Sequence, residues 1–116
     1  MKYLLRILVA GLAALFVSAH AQPYYQGKTL RIVVGLAPGG GFDTYARVIG
    51  RHIGKQIPGN PTVVVDNMPG AGGITMTNHL YKVIKPDGLT IGHFNGSIIL
   101  SQALGQQGIE FDARKF

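Results

Sequence analysis

Apolar positions along the chain form three repeats of a strand-like run, a glycine-containing loop and a helix-like run. The first strand is predicted over 29–36, because the apolar residues there follow the pattern of a largely buried strand. On the helix predicted to follow, Arg47, Arg51 and Lys55 are spaced four apart and are predicted to form a solvated face. Helical spacing covers 42–57, where the apolar face consists of Phe42, Ala46, Ile49, Ile53 and Ile57.

The same unit occurs twice more. Residues 62–66 start with a continuous β-branched run, which predicts a strand covered on both faces, and helical spacing follows over 74–85. A third strand is predicted over 89–94, and a third helix over 97–104 with Ser97 as its N-cap. Parallel strands joined by right-handed helical crossovers suit this repeat, so we expect an α/β fold. Its strand-to-helix loops would share the carboxyl edge of the sheet, where open α/β sheets bind ligands.

The first 21 residues have the pattern of a secretory signal peptide. Lys2 and Arg6 form a basic region, an uninterrupted apolar run covers 7–17, and small residues follow at the positions that signal peptidase reads. An uncleaved membrane anchor is the alternative, but the run is shorter than the ~20 residues that a membrane-spanning helix needs. We therefore expect export, cleavage near Ala21/Gln22, and no membrane insertion of the mature chain.

Composition narrows the possible chemistry. The absence of cysteine excludes disulfides, zinc–thiolate sites, iron–sulfur clusters and cysteine nucleophiles. The histidines show no metal-binding spacing, and His52 and His79 are predicted on helices as solvated or half-buried side chains. The net charge is +6, but lysine and arginine are spread along helices without interleaved aromatic residues. We therefore expect no metal, no cofactor and no nucleic acid.

Two glycine-rich loops carry the candidate chemistry. The sequences APGGG at 37–41 and NMPGAGG at 67–73 each follow a predicted strand and precede a predicted helix. A helix N-terminus presents unpaired N–H groups and partial positive charge, and glycine lets that backbone approach an anion closely. Two such loops side by side suit a carboxylate or phosphate held by backbone groups. The alternative is that the glycines serve only tight turns.

The residues beside these loops indicate binding rather than catalysis. Gly41 and Phe42 stand where a phosphate-binding P-loop requires lysine and serine or threonine. Asp43 falls in the first helical turn, where we expect it to order the loop by accepting backbone N–H bonds, with a ligand amine or hydroxyl as a second possible donor. Ser97 and Ser101 have no identifiable histidine and acid partners, so no catalytic set is predicted.

The segments LRIVVGLAPGGGFDTYAR, VVVDNMPGAGG and KPDGLTIG, behind a signal peptide, resemble the periplasmic substrate-binding receptors of tripartite tricarboxylate transporters, the Bug/TctC type. The resemblance covers about 28–96. It implies a type II periplasmic-binding-protein-like fold, in which two α/β domains close on a small carboxylate, and delivery of that ligand to membrane permease subunits. It implies no enzyme activity and a periplasmic location.

The resemblance also implies which residues bind the ligand. In the first loop they are Pro38, Gly39, Gly40, Gly41 and Asp43, and in the second Pro69, Gly70, Ala71, Gly72 and Gly73. The third loop, around Asn95 and Ser97, follows the family pattern less closely.

Receptors of this family are much longer than this chain. We therefore expect residues 22–116 to be the N-terminal part of domain I, a truncated lobe with a mostly parallel sheet and flanking helices, and domain II to be absent. Two alternatives remain open: a small exported enzyme acting on a phosphorylated or acyl substrate, and a non-functional fragment.

Overall fold

The computed structural model describes residues 22–116, and the predicted signal peptide lies outside them. Three strands are present, namely β1 (Thr29–Val34), β2 (Thr62–Asn67) and β3 (Thr90–His93). The α-helices are α1 (Gly41–Ile53), α2 (Ile74–Lys82) and α3 (Ser97–Ala103). Short 3₁₀ turns cover Gly54–Gln56, Ala71–Gly73 and Ala113–Lys115. The predicted order of strand, loop and helix is confirmed for all three repeats.

The strands form one parallel sheet with β1 in the centre. The order is β2-β1-β3, and Ile32 of β1 is aligned with Val65 of β2 on one side and with Ile91 of β3 on the other. The α/β fold class is therefore confirmed. Because all three strands run in the same direction, the loops that follow them leave the sheet at its carboxyl edge.

Helix α1 covers one face of β1 and β2. Ile32 and Val34 of β1 are buried together with Ala46 of α1. A Cβ at Gly50 would lie 3.2 Å from Cγ2 of Val65, so the missing side chain lets the helix approach the sheet closely. Burial of each apolar side chain of β1 stabilises the fold by about 1.5–3 kcal/mol relative to exposure.

Helix α2 lies against β3 on the opposite side of the sheet. A Cβ at Gly92 of β3 would lie 2.5 Å from Cδ2 of Leu80, and Met76 is fully buried. A second apolar cluster joins Ile74 of α2 to Ile98 of α3 and to Phe111. This cluster ties the C-terminal residues to the two helices that follow β2 and β3.

Two predictions about burial are wrong. Val64 of β2 is 39% exposed, because β2 is an edge strand and α1 covers only one of its faces. Ile49 of α1 is 48% exposed, because the helix contacts the sheet along the narrower line of Ala46 and Gly50. A β-branched run therefore predicted the strand correctly but not its position in the sheet.

The predicted cap of the third helix is also wrong. Gly96 is the N-cap of α3, and Ser97 is its first helical residue. The Asn95 side chain supplies the capping interaction instead, because its Oδ1 accepts the Ser97 N–H at 3.0 Å. His52 on α1 is exposed and His79 on α2 is half-buried, as predicted. Within residues 22–116, no helix has both the length and the apolar character needed to span a membrane.

Candidate functional site

The loops after the three strands converge at the carboxyl end of β1. The second loop starts beside β1, where the Met68 N–H donates to the Val34 carbonyl at 2.8 Å. It then crosses β1 to reach α2, and a Cβ at Gly35 would lie 3.1 Å from Cα of Gly73. A Cβ at Gly73 would lie 3.6 Å from Cβ of Phe94, at the end of β3. The second glycine loop thus contacts the start of the first loop and the start of the third.

Asp43 orders the first glycine loop. Its Oδ2 accepts the N–H of Gly39 at 2.9 Å, and Gly39 has a φ of +82°, a conformation that suits glycine. The Asp43 residue is only 4% exposed although it lies in the first turn of α1. The predicted role of Asp43 in ordering this loop is therefore confirmed.

Arg47 keeps Asp43 ionised. The Arg47 Nε donates to the same Oδ2 at 3.0 Å, one helical turn further along α1. This hydrogen bond, together with the one from the Gly39 N–H, lowers the pKa of Asp43 to about 2. The other carboxylate oxygen of Asp43, Oδ1, is buried and has no hydrogen-bond partner within residues 22–116.

The network continues from Arg47 to the second loop. Arg47 Nη2 donates to Oδ1 of Asn67 at 3.1 Å, and Nδ2 of Asn67 donates to the Leu36 carbonyl at 3.1 Å. The Arg47 side chain is 45% exposed, in agreement with the predicted solvated face of the helix. The sequence did not predict that Arg47 joins the two loops. The spacing of Asp43 and Arg47, an acid four residues before a base on a helix, is a signal that could have indicated the first contact. The contact with Asn67 has no local signal.

The second glycine loop has an unusual backbone. Four consecutive residues have positive φ: Gly70 (+153°), Ala71 (+46°), Gly72 (+64°) and Gly73 (+106°). The Gly70 carbonyl accepts the Gly73 N–H at 2.9 Å, which closes the turn into α2. Ala71 is the one residue of the four with a Cβ, and a left-handed conformation costs such a residue about 1–2 kcal/mol.

Both glycine loops carry backbone amide groups that have no hydrogen-bond partner among the described residues. Within the described part of the chain, the N–H groups of Gly41, Phe42 and Asp43 donate no hydrogen bond, nor do those of Ala71 and Gly72. A Cβ added at Gly39, Gly41 or Gly72 would meet no atom within 4 Å. Two sets of unpaired donors therefore lie at helix starts along one edge of the sheet, an arrangement that suits an anion.

The remaining predicted site residues lie at the same edge of the sheet but differ in the hydrogen-bonding groups that they offer. Pro38 and Pro69 are exposed and have no N–H to donate. Gly40, the N-cap of α1, accepts the Thr44 N–H through its carbonyl at 2.9 Å. Asn95 and Ser97 are exposed, and in the described residues no hydrogen bond joins them to either glycine loop.

A contact between rings brings the third loop near the first helix. The rings of Phe42 and His93 are 5.1 Å apart, centroid to centroid, so the start of α1 packs on the end of β3. The first and third repeats are thus in contact at the same edge that carries the glycine loops. In the part of the chain that the structure describes, no group of three or more histidine, aspartate or glutamate side chains is placed to hold a metal.

A separate groove lies along the outer edge of β3, with a volume of about 540 Å³. Thr90, Gly92 and Phe94 line it from the strand, and Leu80 and Tyr81 line it from α2. None of the predicted ligand-binding residues lines this groove. This groove is therefore separate from the unpaired amides, which lie at the carboxyl edge of the sheet.

Comparison with known proteins finds a longer protein of similar sequence. The chain is 29% identical over 109 residues to a UPF0065 protein of Bordetella bronchiseptica. The aligned region covers 94% of this chain but 32% of the relative, so the chain spans about a third of the relative's length. No protein-family model matches the chain.

Proposed function

We propose that the chain is part of a periplasmic solute-binding receptor that captures a small carboxylate for a tripartite tricarboxylate transporter. The ligand would be a di- or tricarboxylate or a related organic acid, passed on to the permease subunits in the membrane. Two lines support the proposal. They are the resemblance of the loop motifs to the Bug/TctC receptors and the similarity to a UPF0065 protein over 94% of the chain.

The meeting of the two glycine loops is the observation that carries the proposal. Gly35 and Gly73 bring the loops together, and the free N–H groups beside Gly41 and Gly72 suit recognition of an anion by backbone donors. A carboxylate accepts several such bonds at once, and bonds to an ionised acceptor are about twice as strong as neutral ones. The function supported best is therefore binding.

The proposed organisation follows from the length of the relative. We take residues 22–116 as the first part of domain I, and the remaining two thirds of such a receptor as the source of the opposing wall. Ligand selectivity and tight closure would come from that wall. The loops of this chain would then hold one carboxylate group of the ligand, with weak affinity on their own.

Thermal unfolding of the chain in citrate, malate and acetate, against sodium sulfate at equal ionic strength, tests the proposal. We expect a saturable rise in Tm with at least one carboxylate, since a ligand that binds only the folded state stabilises it by mass action. The variant Gly41→Val should keep the ligand-free Tm and lose the rise. An equal response to citrate in Gly41→Val, or no response of the wild-type chain to any carboxylate, would contradict the proposal. Turnover of a phosphate or acyl ester by the chain would instead support the enzyme alternative.

A further inference from the structure

We infer that Asn67 is a positioning residue that sets the first glycine loop from the start of the second. This inference rests on the proposed function for its effect on carboxylate binding, but not for its structural basis. Asn67 is the last residue of β2, and its side chain reaches across to groups that hold the start and the centre of the first loop.

The bonds form one continuous chain. At the start of the first loop, the Leu36 carbonyl accepts a hydrogen bond from Nδ2 of Asn67 at 3.1 Å. At its centre, the Gly39 N–H donates to Asp43, which is held by Nε of Arg47. The same guanidinium donates through Nη2 to Oδ1 of Asn67 at 3.1 Å. Both polar atoms of the Asn67 side-chain amide are therefore hydrogen-bonded, Nδ2 to Leu36 and Oδ1 to Arg47.

This arrangement holds the backbone of the first loop in a defined position relative to the start of the second loop. The first loop is mostly glycine, so its own side chains supply little to hold its backbone. Asn67 fixes one end directly and, through Arg47 and Asp43, the N–H of Gly39. Because Asn67 is also the first residue of the second loop, its side chain links the backbone of the first loop to the start of the second, in addition to the packing of Gly35 on Gly73. Asn67 would tune carboxylate affinity without touching the ligand.

The test compares Asn67→Leu with Asn78→Leu in the full chain. Asn78 is a matched control, since it is also half-buried and also makes two bonds, donating to the Gly108 carbonyl at 2.8 Å and accepting the Glu110 N–H at 2.9 Å. Two quantities are measured: the hydrogen-exchange rate of the Gly39 amide without ligand, and the dissociation constant for citrate. In Asn67→Leu we expect about a tenfold rise in each, the effect of losing roughly one hydrogen bond. Asn78→Leu should change neither.

A second variant, Arg47→Lys, covers the case in which Asn67→Leu does not fold. It keeps the charge beside Asp43 and loses the arm that reaches Asn67, so it should also raise Gly39 exchange. The double variant should show less than the sum of the two single effects, as residues in one network do.

The outcomes separate the two proposals. Unchanged Gly39 exchange in Asn67→Leu, or in Arg47→Lys where only that variant folds, overturns the positioning role whatever happens to citrate. Faster Gly39 exchange in a protein whose wild-type form binds no carboxylate supports the positioning role and contradicts the proposed function. Equal effects in Asn78→Leu would mean that the loop responds to general destabilisation, which also overturns the inference.

Discussion

Gly35 and Gly73 pack backbone against backbone at the carboxyl end of the central strand, since a Cβ at Gly35 would lie 3.1 Å from Cα of Gly73. The same Cβ would lie 3.2 Å from Cε of Met76, a fully buried side chain. No side chain fits between the end of β1 and the second glycine loop. The absence of a side chain at Gly35 is what allows the two loops to meet.

Gly35→Val should therefore displace the second loop. We expect a loss of about 1–3 kcal/mol in the free energy of unfolding, the usual cost of overpacking a tight site, together with loss of carboxylate binding. Urea denaturation followed by circular dichroism measures the first effect. Gly40→Ala is the control for the stability effect, because its Cβ would lie 3.6 Å from the Ala37 carbonyl oxygen, an ordinary contact. A Gly35→Val protein as stable as wild type would contradict the close packing of the loops.

Alanine substitutions at Gly41 and Gly72 distinguish the effect of backbone strain in the loop from the effect of blocking the ligand. Neither added Cβ would touch another atom, but Gly72 has a φ of +64° and Gly41 does not have positive φ. Gly41→Ala should be neutral or stabilise the protein by up to about 1 kcal/mol, because alanine favours the helix that begins there. Gly72→Ala should destabilise it by about 1–2 kcal/mol.

The thermal unfolding of the two alanine variants distinguishes these effects, with the citrate response measured in parallel. We expect both variants to weaken citrate binding, since each adds a methyl group to a loop that carries unpaired amides. A citrate response that follows stability, retained in Gly41→Ala and lost only in Gly72→Ala, would contradict the proposed role of the first loop.

The stability of the chain should fall in acid. The Arg47 hydrogen bond lowers the pKa of Asp43 to about 2 from its usual 3.8. The Arg114 guanidinium holds the pKa of Asp112 well below its usual range. Because both carboxyl groups bind protons less readily in the folded state, their contribution is complete above about pH 4. The part due to Asp43 is lost as the pH falls through about 2.

Urea unfolding between pH 5 and pH 2 measures this dependence. Asp43→Asn removes one of the two carboxyl groups with a lowered pKa. The free energy of unfolding of this variant should therefore fall less steeply over this range than that of the wild type. Equal slopes in Asp43→Asn and wild type would contradict the ionised Asp43–Arg47 pair.

Local sequence patterns predicted the order of strands and helices well, because each of these elements is formed by residues that are adjacent in sequence. Alternating and helical spacing identified each strand and helix, and their repeated order predicted a parallel sheet with shared loop positions. Local patterns did not predict the exposure of Val64 and Ile49, because sheet order and helix placement decide which apolar residues are covered. The capping of α3 by Asn95 rather than Ser97 differs by two residues, within the same short polar segment.

The sequence predicted that the two glycine loops lie at one edge of the sheet, but it did not predict the hydrogen bonds that join them. The glycine loops and Asp43 follow from composition and from position at a helix start. Asn67 does not, because its partners Leu36 and Arg47 are 31 and 20 residues away along the chain. Contacts of this kind depend on the register of β1 and β2, which the sequence pattern leaves open.

The central claim is that amides of both glycine loops bind one carboxylate group. A titration of the ¹⁵N-labelled chain with citrate, followed by amide chemical shifts, tests it most directly. We expect the resonances of residues 41–43 and 71–72 to shift together with a single dissociation constant, while those near Arg51 of α1 and Lys55 of the following 3₁₀ turn do not shift. Shifts confined to the basic residues of α1, or loop shifts that do not share one dissociation constant, would contradict it.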